Sequence, residues 1–353
     1  MSMNKFISMV ASATILFLAC GCGNRVSYFP RAIDPALTEE FDQVFFDVRR
    51  FVTNEVHVLL VVKDGKVVYE QYRPDHQPES RHIMWSATKT FTATAVGFAV
   101  QDGLLSVDDK VVQFFTDEEL PAERSPWLEQ MTVKDLLIMS SGFEPYHDGI
   151  ADFGGNYDWA YTQLHQPMYF EPGTRFRYDS MDSYLVSVIL SRVTGKRMDD
   201  YLNEKLFRAL GIKEYYWEHS PQNYTTGGGG LFIRPESLAK MGQFLLQEGK
   251  WEGRQLLDPE WIAEATSPQI MQYAGTDPTP EQLEKYASND KMMGYGYQVW
   301  CCPGGFRMDG AHGQYCYILP EKRLVIVCFA STRNPALLRK SITEHIINYP
   351  GWK

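Results

Sequence analysis

The sequence predicts an α/β (α+β) fold, an antiparallel sheet flanked by helices, built from both chain ends with an all-helical subdomain inserted between. Three observations predict it. β-rich runs open the chain after its leader, helical periodicity fills the middle, and strands return before a last helix. With 353 residues there is room for one large domain or two ordinary ones.

The leader comes first. Lys5 precedes FISMVASATILFLA, an apolar stretch too short to span a bilayer comfortably, so residues 1–19 read as an export signal. Small Ala19 before Cys20 suits a lipobox, with Cys20 as the lipidated first residue. Cys22 is an alternative site, and a plain secretory peptide is the other reading. The expectation is a protein of the periplasm or cell envelope, lipid-anchored at Cys20. Residues 20–44 read as a linker and 45–350 as the folded domain.

Between Glu55 and Arg73, VHVLLVVKDGKVVYEQYR gives two β-rich runs around Asp64-Gly65, a hairpin signal. A helix follows from about Ser86 to Asp102 and stops at Gly103. The helical subdomain spans about 110–285. It contains TVKDLLIMSSGF, a long loop from Phe143 to Tyr169 rich in aromatic residues, DSYLVSVILSRV, MDDYLNEKLFRAL before Gly211, and PESLAKMGQFLLQEG after the glycine run 227–230. YGYQVW, HGQYCYILP and RLVIVCFA return as strands, and ALLRKSITEHIINY closes the chain as a helix.

Composition narrows the function. At 44% hydrophobic, 22% charged and 14% aromatic residues, the chain fits a folded globular protein. Its net charge of −10, with no basic block, leaves no footprint for nucleic acid. No ligand-spaced His/Cys cluster demands a metal. Cys301, Cys302, Cys316 and Cys328 could pair in an oxidising compartment or sit reduced as small buried residues on strands.

Chemistry enters through Ser-x-x-Lys, which occurs four times, at Ser2, Ser86, Ser237 and Ser288. The first lies in the leader, Ser237 suits a helix cap, and Ser288 lies in turn-like YASNDK. Ser86 alone opens a helix that is apolar nearly all round, as a helix buried between layers is. Lys89 shares its face. Burial and the positive helix end both disfavour the ammonium form, so the amine is suited to take the serine proton. The same first turn offers N–H groups to an oxyanion. A second proton carrier is needed, and Tyr-x-Asn/Ser occurs at Tyr178, Tyr201 and Tyr286. Tyr201 lies in a regular amphipathic helix, whereas Tyr178 stands at a loop edge able to project into a cleft.

In order along the chain, WSATK, Tyr178-Asp179-Ser180 and GAHGQYCYILPEKRLVIV resemble the three motifs of the serine β-lactamase and penicillin-binding protein superfamily. TVKDLLIMSSG, PGTRFRYDSMDSYLVSVILSRVTGKRMDDYLNEKLF, GGGGLFIRPESLAKMGQFLLQEGKW and GYGYQVW extend the similarity over about residues 45 to 345. The branch is the class C-like one, with its β-lactamases, D-alanyl peptidases, esterases and 6-aminohexanoate-dimer hydrolases. The resemblance implies a serine hydrolase without metal or cofactor that acts on a small molecule; a monomer is expected, though the sequence itself leaves the oligomeric state open. Ser86 would be the acylated nucleophile, Lys89 its base, Tyr178 the proton shuttle, and the backbone N–H groups of Ser86 and Gln314 the oxyanion hole.

Trp85, Ser180, His312 and Gly313 would contact substrate. Ser180 stands where many members carry asparagine, and Ala311-His312-Gly313 replaces the usual Lys-Thr-Gly. Loss of that lysine disfavours carboxylate-bearing penicillins and D-alanyl peptides and favours esters or amides. His312 is either a charged stand-in or a neutral strand residue at the cleft wall. Trp85 and the aromatic loop either line an acyl pocket or pack. Asp179 reads as a turn residue. Three functions stay open: esterase or amidase, β-lactamase or peptidase, and an envelope binding protein that has lost turnover.

Overall fold

Asp64 and Gly65 both adopt positive φ, +53° and +72°, the backbone that a two-residue turn needs to match the twist of its strands. They join β1 (Glu55–Lys63) to β2 (Lys66–Tyr72), as the sequence predicts. The structure is a computed structural model and describes residues 28–49, 55–144, 156–287 and 289–352. The export signal, Cys20 and Cys22 lie outside the described residues.

Along the chain follow β3 (His82–Ile83), β4 (Tyr216–Trp217), β5 (Leu231–Ile233), β6 (Lys250–Trp251), β7 (Arg254–Gln255), β8 (Trp300–Cys302), β9 (Gly305–Gly310), β10 (Gln314–Leu319) and β11 (Leu324–Ser331). The main sheet has the order β2-β1-β11-β10-β9-β8, each neighbouring pair antiparallel, so both chain ends do build it. Along β1, Val58, Leu60 and Val62 enter one apolar cluster while Leu59 and Val61 enter another. Both faces are covered, which is why these strands read as continuous apolar runs.

Helix Pro235–Leu246 covers the first face so closely that a Cβ on Gly242 would lie 2.6 Å from Val325 Cγ1 and 2.7 Å from Cys316 Sγ. That helix therefore belongs with the sheet, not with the helical subdomain expected to run to about 285. The second face is covered by Pro35–Phe41, Gln43–Arg49 and Pro335–Ile342. Residues 20–44 are thus not wholly a linker: Asp34 caps a helix that buries Leu37 and Phe41.

Three more expectations are corrected. β4 and β5, which join β3 in a small sheet of order β3-β5-β4, and the β6/β7 pair lie where only helices were expected. Of YGYQVW only Trp300 joins a strand, because Gly294 and Gln298 take φ of +109° and +58° and Gln298 turns its side chain to the Leu136 and Leu137 carbonyls. Within the expected loop Phe143 to Tyr169, Asp158 caps a helix Trp159–Leu164. Tyr146, His147 and Phe153 of that loop lie outside the described residues. All four described cysteines are free and buried on strands. Burial pushes the Cys301 and Cys302 thiols up, to about 11 and about 12, so they stay protonated at neutral pH.

Candidate active site

The site forms where β3 runs out. Met84 N–H donates to Leu231 O at 2.7 Å, holding the chain against β5. Trp85 then takes φ +46°, costly for a bulky residue, and swings the chain into a 3₁₀ turn, Trp85–Thr88, that continues as helix Lys89–Gln101. Ser86 stands on this bend, half-buried. From Lys89 to Ala99 every residue of the helix is buried, as its apolar sequence implies.

Lys89 is 1% exposed. Its ammonium donates to Ser86 Oγ at 3.2 Å, Ser180 Oγ at 2.8 Å and Gly228 O at 2.6 Å. Burial lowers its pKa to about 7, with the Asp179 and Asp182 carboxyls nearby pulling the other way. A pKa this low lets the amine shed its proton near neutral pH and turn a lone pair to the Ser86 hydroxyl. Asp182 is itself wholly buried, and burial followed by the charge of Asp179 raises its carboxyl well above the ordinary range.

Asp179 does more than turn the chain. It is buried and accepts from Met181 N–H at 2.8 Å as N-cap of helix Ser180–Thr194, and from Gln163 Nε2 at 3.1 Å. Tyr178 and Ser180, on either side of this cap, both reach the Ser86–Lys89 pair. Ser180 meets Lys89, so the residue expected to hold substrate is engaged with the amine. The Tyr178 phenol hydrogen-bonds Ser86, and burial raises its pKa, keeping it protonated. Its ring lies 5.0 Å from Lys89 Nζ and stacks on Trp300 at 5.7 Å, with Tyr295 and Phe176 at its edges. Tyr201 and Tyr286 are elsewhere: Tyr201 Oη donates to Asp102, and Tyr286 stacks on Tyr273.

The glycine run is a structural requirement of this geometry. A Cβ on Gly227 would sit 2.5 Å from Ser183 O, and one on Gly228 would sit 2.8 Å from Ser180 O and 3.4 Å from Lys89 Nζ. Only glycine lets this bend approach both helices and present the Gly228 carbonyl to the amine. Gly228→Ala is expected to cost about 1–3 kcal/mol of stability, read as a shift of the urea midpoint, and to slow any reaction that depends on Lys89.

The third motif differs from expectation. Ala311, His312 and Gly313 form the β9–β10 turn, and His312 and Gly313 have φ of +63° and +95°. His312 is therefore an exposed turn residue and not a strand residue; its ring meets Trp85 edge-on at 5.5 Å. A Cβ on Gly313 would point at Leu338 Cδ2, 2.6 Å away, which ties this glycine to packing.

β9 packs on the Ser86 turn more closely than β10 does: a Cβ on Gly310 would lie 2.3 Å from Met84 O and 3.2 Å from Ala87 N. Gln314 lies one strand farther off and turns its side chain inward to the Ala311 and Ala330 carbonyls at 3.2 and 2.7 Å. Among the described residues, the backbone N–H groups of Ser86 and Ala311 have no hydrogen-bond acceptor.

A family model described as Beta-lactamase matches residues 48–348. The chain belongs to the beta-lactamase family. Within it, the 6-aminohexanoate-dimer hydrolase of Paenarthrobacter ureafaciens is 24% identical over 298 residues, 78% of this chain and 72% of that protein. Two solved structures share the fold. A putative 6-aminohexanoate-dimer hydrolase from Bacillus anthracis has a TM-score of 0.71 at 19% identity, covering 91% of this chain and 86% of its own. A putative beta-lactamase from Bacteroides dorei has a TM-score of 0.73 at 19% identity, covering 88% and 99%.

In this beta-lactamase-family chain, sequence reasoning missed four participants: the Gly228 carbonyl, Asp179, Asp182 and Trp300. The four glycines were a visible signal for the first. Asp179 and Asp182 flank Ser180 in sequence, but nothing in the pattern marks them as buried beside Lys89. Trp300 is remote in sequence and reaches Tyr178 only through the fold. In the described part of the aromatic loop, Phe143 and Trp159 are buried while Tyr157, Tyr161 and Tyr169 are exposed, so packing and solvent account for them.

Proposed function

We propose that the protein is an exported serine hydrolase acting through an acyl-enzyme on a small ester or amide. The observation that carries this reading is Ser86 Oγ lying 3.2 Å from the nitrogen of a buried lysine held near pKa 7. Neutral Lys89, with Tyr178 beside it, takes the Ser86 proton as the oxygen attacks the substrate carbonyl. The oxyanion rests on the Ser86 N–H and on that of Ala311, which replaces Gln314 as the second donor. Tyr178 protonates the leaving group, and water then cleaves the acyl ester. These steps call for no metal or organic cofactor.

With alanine at position 311, the third motif lacks the lysine that would hold a substrate carboxylate, which supports an ester or an amide over a penicillin or D-alanyl peptide. The export signal and Cys20 support a protein anchored to the cell envelope or held in the periplasm. The test is turnover of p-nitrophenyl acetate, a linear 6-aminohexanoate amide and nitrocefin by the protein and by Ser86→Ala. The ester or amide is expected to turn over in the first protein only, with kcat/KM for nitrocefin lower by about tenfold or more, the worth of a lost charged hydrogen bond. Nitrocefin turnover matching the best ester or amide would favour a β-lactamase or peptidase instead. A stable adduct that never clears would favour an envelope binding protein.

A further inference from the structure

We propose that His57, His76 and His82 form a binding site for a divalent transition-metal ion of the zinc, nickel or copper type, outside the Ser86 cleft. The three residues come from β1, from the loop after β2, and from β3, so the fold and not their spacing in sequence brings them together. One imidazole nitrogen of each lies within 4.8 Å of those of the other two. Four-coordinate nitrogen ligands at about 2.0–2.1 Å from a metal stand roughly 3.3 Å apart. Small rotations about the side-chain torsions close that gap.

The surroundings favour neutral, ligating imidazoles. His57 and His76 stack at 4.1 Å and His76 and His82 at 5.1 Å, while His82 rests on Phe329 at 4.5 Å. Protonating such a stack would place like charges side by side against an apolar ring.

His82 Nε2 is buried with no hydrogen-bond partner among the described residues, a cost that a metal would remove. His76 Nδ1 lies 3.0 Å from Asp75 Oδ1, and Arg73 Nε holds that carboxylate at 2.9 Å. A carboxylate on Nδ1 fixes the tautomer that leaves Nε2 with its lone pair, the arrangement that orients metal-binding histidines. The Arg73 guanidinium is paired with both Asp75 and Glu55. A fourth position remains for water.

The site would clamp the start of β1 to the strand that leads into the nucleophile turn, since His82 precedes Ser86 by four residues. Imidazole ligands without thiolate suit zinc, nickel and copper and exclude no member of that group.

The test uses chelator-treated full-length protein titrated with zinc chloride by calorimetry and with cobalt chloride by visible absorption. One equivalent is expected to bind with micromolar or tighter Kd, to give the d–d bands of a low-coordinate cobalt site, and to raise Tm. His76→Ala, a change in an exposed loop, is expected to weaken binding about tenfold or more and to abolish the Tm rise; His57→Gln does the same. Ser86→Ala binds as the parent does. Sub-stoichiometric binding, or a Kd in both histidine variants equal to that of the parent, overturns the proposal. It would leave the three rings as neutral packing.

Discussion

Ser86→Ala lowers kcat for the best ester substrate by on the order of 10⁴-fold or more, since no other group takes over the covalent step when a nucleophile is removed. The fold is expected to survive, because the hydroxyl sits on a half-buried bend and its loss removes one of three partners from Lys89. The matching check is mass spectrometry after exposure to a panel of esters, amides and β-lactams. An acyl mass should appear on the peptide carrying Ser86 in the parent protein and nowhere in the variant. A residual rate within tenfold of the parent would assign the chemistry to another group.

Lys89→Met is expected to lower kcat/KM by about 10²–10⁴-fold, the usual worth of a positioned base. The parent rate should climb with pH through about 7, where the amine loses its proton, and then level off, because the Tyr178 phenol stays protonated far above that value. In the variant that limb disappears.

Stability reports the same group independently. Folding lowers the Lys89 pKa from its ordinary value near 10.5 to about 7, so between these values the unfolded chain binds more protons than the folded one. The cost of the buried ammonium is therefore present in full below pH 7 and fades as pH rises toward 10.5. Urea unfolding of the two proteins should show Lys89→Met ahead at pH 6, with the difference shrinking steadily to pH 10. A difference constant across that range would mean that Lys89 keeps an ordinary pKa when folded.

Much of this site could be read from local sequence. The Ser86–Lys89 pair declares itself because helical spacing and an apolar surround are both local properties. The Asp64-Gly65 hairpin and the Gly103 and Gly211 helix stops were legible for the same reason, each resting on local backbone preference.

What escaped was set by long-range packing. Ser180 looked like a substrate ligand until helix Ser180–Thr194 placed it against Lys89. Gln314 looked like the oxyanion donor until β9 proved to pack more closely on the turn. Asp182 gave no sign of being a buried acid, since an aspartate in the first turn of a helix is ordinarily solvated and stabilises the helix dipole. Trp300 meets Tyr178, and the three histidines meet one another, only through the way separate strands and loops come together in space, about which a one-dimensional pattern is silent.

The Lys89 amine is the point on which the account turns, and the rate at which a fluorophosphonate labels Ser86 between pH 5 and 10 measures it most directly. The rate should rise about tenfold per pH unit below 7 and plateau above it, with no such rise in Lys89→Met. A rate that is flat across the range, or that keeps climbing toward pH 10 as an ordinary lysine would dictate, would contradict it.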